Sequence, residues 1–115
     1  MNYSINVTRA AEKDLNSAVD YIDTILMNPQ AADDLLKEAE EKIKELAVFP
    51  KKYQLVDDPV LKSWEVRSMI IKNYLAFYTV DDMAHTVNII RFLYGKRNWS
   101  VILRQNQNET VPEKM

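Results

Sequence analysis

The most chemically loaded stretch of the chain is Lys96-Arg97-Asn98-Trp99, which follows its single glycine, Gly95, at the end of an apolar run from Val87 to Tyr94. Two cations beside an indole can hold a phosphate or a carboxylate by charge while the aromatic plane anchors the contact. Only glycine enters positive φ freely, so Gly95 is expected to turn the backbone sharply out of a strand and present these groups together. Further cations precede it at Arg67, Lys72 and Arg91. A charge in mid-strand needs a reason, and Arg67 has two: a contact, or an ion pair with Glu65 or a helix carboxylate. Arg91 shares the phase of Val87, Ile89 and Leu93, so a partly buried structural role stands beside a contact. Lys72 reads as an exposed strand lysine. Trp99 either anchors an interface or closes the core beneath a short last helix.

Other chemistries find little support. Tyr74 and Tyr78 share one strand face, where packing with a wet hydroxyl competes with base stacking. His85, the only histidine, falls in an expected hairpin loop rather than a cleft. No Ser-His-Asp set, phosphate-cradling glycine loop, dinucleotide fingerprint or metal-ligand spacing is present, so neither a cofactor nor a metal is expected. Cysteine is absent, which excludes disulfides and thiolate metal sites and suits a reducing cytoplasm. With no basic leader and no run of about eighteen apolar residues, no membrane partner is expected.

The charge is unevenly placed. Residues 1 to 50 hold five Lys/Arg against ten Asp/Glu, whereas residues 51 to 115 hold ten against seven. Between Lys62 and Arg104 the balance is seven basic to three acidic. The second half is therefore the expected contact for an anion, although the overall net charge of −2 argues against a dedicated nucleic-acid binder.

Elements that would position these groups follow from periodicity. Tyr3, Ile5 and Val7 alternate with Ser4 and Asn6 as in a strand with one buried face. Thr8 can cap a helix whose apolar residues, Ala11, Leu15, Ala18, Val19, Ile22, Ile25 and Leu26, recur at steps of three and four. Asn28-Pro29 ends it and opens a second helix with its stripe at Ala32, Leu35, Leu36, Ala39, Ile43 and Leu46 and exposed pairs Glu38/Lys42 and Glu40/Lys44. Lys51 to Ser63 reads as a long surface connection. Strands are expected at Trp64 to Met69, Ile71 to Val80 and Thr86 to Tyr94, the last two joined through Asp81 to His85. Asn98 to Arg104 suits one helical turn, and residues 105–115 a disordered polar tail. One domain over 1–104 results, in an α+β fold of order β-α-α-β-β-β: a helical hairpin on one face of a mainly antiparallel four-stranded sheet.

That order resembles the RelE/ParE superfamily of bacterial toxins over roughly residues 3 to 104. The specific parts are the arginine-bearing strand at Val66-Arg67, the run Asn73-Tyr74-Leu75-Ala76-Phe77-Tyr78, and the last strand ending in Gly95-Lys96-Arg97. The resemblance implies the toxin half of a type II toxin–antitoxin pair, of the plasmid-stabilization kind, silenced by a cognate antitoxin that wraps sheet and helices. It implies one of two mechanisms: RelE-like members cut mRNA on the ribosome without a metal, whereas ParE-like members bind and poison DNA gyrase.

Metal-free RNA cleavage needs a base, an acid and cations for the phosphorane charge. Where the RelE pattern has an arginine after the third-strand tyrosine, this chain has Leu75; near its tail tyrosine stands Leu103; and Glu65 precedes Arg67 where paired lysines belong. The resemblance is therefore closer to the ParE side, with Arg67, Lys72, Arg91, Lys96, Arg97 and Trp99 as the target or RNA contacts. The alternatives are a ribosome-dependent endonuclease with an unusual residue set, acting on ribosome and mRNA, and a non-toxic antitoxin-binding module. A homodimer or a toxin–antitoxin hetero-oligomer fits any of the three.

Overall fold

A computed structural model describes the backbone of residues 2–110 and the side chains of residues 2–105. The elements run β1 (Ser4–Val7), α1 (Arg9–Asp20), a π-helical turn (Tyr21–Ile25), α2 (Pro29–Glu45), α3 (Pro59–Ser63), β2 (Arg67–Ile71), β3 (Tyr74–Asp81), β4 (Thr86–Tyr94) and α4 (Trp99–Thr110). The sheet order is β1-β4-β3-β2, with β1 parallel to β4 and the other pairs antiparallel. Thr8 caps α1 by accepting from the Ala11 amide, and Asn28 caps α2 by accepting from Ala31, so both helices of the hairpin start where the sequence signals them.

The hairpin packs on one sheet face. Ala11, Ala18, Leu35, Ala39 and Leu46 meet Met69, Ile71, Ala76, Tyr78, Val87, Ile89 and Phe92 there. The opposite face, which the sequence left open, is covered in part by α3 and α4: Val56, Leu61, Val66, Phe77, Leu93 and Leu103 form a second core, with Trp99 and Ile102 packed against it. The molecule thus has three layers.

Four local differences from the sequence expectations have physical causes. First, the 51–63 connection is no bare loop. Asp58 caps α3 through the Val60 and Leu61 amides, Pro59 takes the first helical position, and Val56 and Leu61 are buried. Second, β2 begins only at Arg67 and turns into β3 through Lys72 and Asn73, with Lys72 at φ 57° where a glycine is favoured. Third, β4 carries a bulge. Ile89 pairs with Tyr78 and Arg91 with Phe77, which leaves Ile90 without an opposite residue and reverses the alternation beyond it. Val87, Ile89 and Phe92 therefore face the helices, while Leu93 joins the other core. Fourth, α4 runs on to Thr110, longer than the single turn expected over Asn98 to Arg104. Its Trp99, Ile102 and Leu103 stand at helical spacing and give it a face to bury. Of the expected polar tail, residues 111–115 lie outside the described residues.

Of the two exposed pairs expected on α2, Glu38–Lys42 forms at 3.8 Å. No helix among the described residues is long and apolar enough to cross a membrane.

Candidate functional site: a groove ending in the basic turn

Gly95 acts through its size. Its φ is not positive. Instead its N–H donates to the Asn73 carbonyl at 2.8 Å, and a Cβ at this position would stand 3.2 Å from that oxygen. The absence of a side chain lets the turn after β4 lie directly on the β2–β3 turn, so Lys72, Asn73, Lys96 and Arg97 share one end of the sheet. Lys72 is partnered by Glu38 at 3.6 Å. Lys96 and Arg97 are exposed and make no ion pair among the described residues.

The other three expected contacts lie elsewhere. Arg91 is bound to Asp14 of α1 through two hydrogen bonds, Nε to Oδ2 at 2.6 Å and Nη2 to Oδ1 at 3.0 Å. Asp14 Oδ2 also accepts from the Phe92 amide at 3.0 Å, which β1 is too short to satisfy. The bulge takes Arg91 out of phase with Val87 and Ile89 and brings it to the edge where α1 crosses. Among the described residues Arg67 pairs with neither Glu65 nor a helix carboxylate; its Nη1 donates to the Tyr53 carbonyl at 2.7 Å and fixes the loop after α2. Opposite it in register stands Tyr78, whose hydroxyl is buried and meets no hydrogen-bond partner of good geometry among the described residues, and burial pushes its phenol above the usual value. Trp99 lies half-buried against Phe77, ring centroids 5.3 Å apart, inside the second core. Trp99 is therefore separated from the charges that precede it.

Arg97 closes one end of a groove of about 770 Å³ between the helical hairpin and the sheet. Tyr21 and Leu26 of the hairpin, and Asn73, Tyr74 and Tyr94 of the sheet, line it. Tyr74 stacks on Phe92 at 5.0 Å and meets Tyr94 edge-on at 5.6 Å, so these rings form a fixed aromatic wall. Burial, then the neighbouring Tyr94 and Tyr21, pushes the Tyr74 phenol up. Tyr74 and Tyr94 were visible in the sequence as strand tyrosines. The hairpin's share, Tyr21 and Leu26, was missed, because helical periodicity put Leu26 on a buried face.

On the opposite sheet face a smaller cleft of about 360 Å³ lies between Ser68, Ile70, Leu75 and Trp99. Lys42, Tyr53 and Asp57 also line it, but among the described residues neither arginine nor histidine does. Leu103 is buried behind it. Both leucines that break the nuclease pattern are thus packed against apolar neighbours in one cluster. His85 stacks on Tyr3 at 4.5 Å beside Asp82, which accepts from Tyr3 Oη and Lys51 Nζ at 2.7 Å each. Lys51 first, then Tyr3, holds the Asp82 carboxyl below the usual range, a clamp between the chain's start, the loop after α2 and the β3–β4 hairpin. Among the described residues no cluster of three or more His, Cys, Asp or Glu is arranged to hold a metal.

Comparison with known proteins fits this geometry. The family model described as the ParE toxin of the type II toxin–antitoxin system parDE matches residues 5–99. A chain of the chromosomal ParDE toxin–antitoxin system from P. aeruginosa superposes with a TM-score of 0.64 at 21% identity, covering 80% of this chain and 95% of that one. A chain of the RelBE2 toxin–antitoxin complex from Mycobacterium tuberculosis gives 0.56 at 19% identity, covering 82% and 99%. No curated protein matches significantly by sequence. The two structures share the fold, and the family match spans every element from β1 to the basic turn: the chain belongs to the ParE toxin family of type II toxin–antitoxin systems.

Proposed function

We propose that this toxin acts by binding and poisoning DNA gyrase, and that a cognate antitoxin keeps it silent. One observation carries the choice of binding over cleavage. At the positions where metal-free RNA cleavage would place its polar set, Leu75 and Leu103 are packed into a core with Phe77 and Trp99. Lys96 and Arg97, by contrast, remain exposed, and Arg97 lines an aromatic groove. Cations so placed steer and orient a partner without breaking a bond. Arg97 is the principal contact and Lys96 its neighbour, whereas Arg67, Arg91 and Trp99 serve the fold. The structures resembling this chain come from toxin–antitoxin complexes, which supports a cognate antitoxin as its partner.

Inducing the chain in growing cells should accumulate gyrase-linked DNA breaks, and reconstituted translation should show no A-site cleavage. Arg97→Ala should abolish the breaks while changing stability by no more than about 1 kcal/mol, as for an exposed charge. A-site cleavage without gyrase-linked breaks would transfer the protein to the endonuclease class. Normal growth with neither would make it a non-toxic antitoxin-binding module.

A further inference from the structure

The tip of the helical hairpin carries a surface that neither core uses. The π-helical turn inserts an extra residue at the end of α1, its last bond running from the Leu26 amide to the Tyr21 carbonyl. That insertion rotates the apolar stripe away from the sheet. Ile22 stays packed on the core, but Tyr21 is 51% exposed, Ile25 65%, Leu26 56% and Met27 81%. Four large apolar side chains thus stand exposed within one short turn, a concentration of the sort that marks interaction sites. Met27 also sits at φ 54°, where the Asn28 amide closes the helix end onto the Ile22 carbonyl. A glycine or asparagine suits that position, and a methionine there is strained.

The collar around the patch has one sign. Between Asp14 and Leu36 there is no lysine or arginine. Asp14 is neutralised by Arg91, while Asp20, Asp23, Asp33 and Asp34 are all exposed. Phosphates would be repelled from such a rim. We infer that the hairpin tip is a second docking surface, fitted to a basic, apolar segment of a protein partner, with Tyr21, Ile25, Leu26 and Met27 as anchors and Asp20 and Asp23 as charge partners. Its polarity is opposite to that of the Lys96/Arg97 turn. Because Tyr21 and Leu26 also line the groove that ends at Arg97, a segment lying along it is oriented: basic end at the tip, acidic end at the turn.

The test uses the whole chain and two synthetic amphipathic peptides with the same leucines, one flanked by lysines and one by glutamates. In an NMR titration the lysine-flanked peptide should bind at least about tenfold more tightly, a difference of about 1.4 kcal/mol. Its shifts should centre on Tyr21, Ile25, Leu26 and Met27. The double variant Asp20→Lys/Asp23→Lys, both surface changes, should reverse the preference. Met27→Gly should raise the melting temperature and weaken the lysine-flanked peptide several-fold. No binding of either peptide, equal affinities, an unchanged preference in the double variant, or tip shifts on adding duplex DNA would each overturn the inference. None of these readouts depends on gyrase, so a failure here is distinct from loss of the gyrase-linked breaks.

Discussion

Arg91 and Asp14 offer the sharpest test of how the sheet edge is built. Both side chains are largely buried, 13% and 15% exposed, and they are joined by two hydrogen bonds. Removing one member of a buried pair costs about 3 to 5 kcal/mol, mostly because the other charge is left without a partner. Arg91→Ala leaves Asp14 with the Phe92 amide still donating to it, which places this variant at the lower end, about 3 kcal/mol. Asp14→Ala strands the guanidinium and also frees the Phe92 N–H, adding about 1 kcal/mol. Removing both side chains leaves no buried charge, so the double variant should fall about 3 kcal/mol short of the sum of the single losses. Urea unfolding of the three variants supplies the cycle. At roughly 4 °C per kcal/mol, Arg91→Ala should also melt about 12 °C lower. Single losses below about 1 kcal/mol that simply add would show that the pair does not hold β4 to α1, and Arg91 would return to the set of contact residues.

Trp99→Ala should cost about 2 to 3 kcal/mol, since the indole is half-buried on Phe77, and denaturant melts will show it. An unchanged melt with lost growth arrest would instead make Trp99 an interface anchor. Asp58 gives a pH signature: its carboxyl is held below the usual range first by the Leu61 amide and then by Arg104 at 2.6 Å. A group depressed in the folded state stabilises fully above its unfolded value of about 4, and that contribution disappears as the pH falls through the lowered folded value. The melting temperature should therefore drop on acidification below about pH 4, and the drop should shrink in Asp58→Asn. Identical acid limbs would refute the assignment; Asp82, depressed in the same direction, accounts for part of what remains in the variant.

The order of elements was legible because periodicity is a local signal: the alternation in Tyr3-Ile5-Val7 and the three-and-four spacing from Ala11 and from Ala32 needed no partner to be read. What escaped was whatever depends on a neighbour distant in the chain. The bulge at Ile90 is set by pairing with Phe77 and Tyr78, so the phase of Arg91 could not be counted from Val87. The π-helical turn likewise breaks a count that runs on smoothly through Leu26. Lys51 to Ser63 read as a surface connection, although its Asp58-Pro59 step is also how a short helix begins. The basic turn was found, but for a different reason than the one that builds it. Gly95 was expected to supply an unusual φ; what the fold needs is the missing Cβ beside the Asn73 carbonyl, an effect invisible until two turns meet. For the same reason Trp99, adjacent in sequence to Arg97, could not be seen to part from it.

The parallel pairing of β1 with β4 also sets an order of events during synthesis. Ser4 lies beside Thr86 and Val7 beside Ile89, partners more than eighty residues apart, so the first strand made waits for the last. Until β4 has left the ribosome, the nascent chain carries an acidic helical hairpin whose apolar face has no complete sheet to cover it. Contacts of such long separation slow folding and prolong exposure of unpaired surface. The cations of the basic turn emerge later still, immediately after β4. A message cut short before Gly95 therefore yields a fragment lacking both a closed core and Lys96 and Arg97.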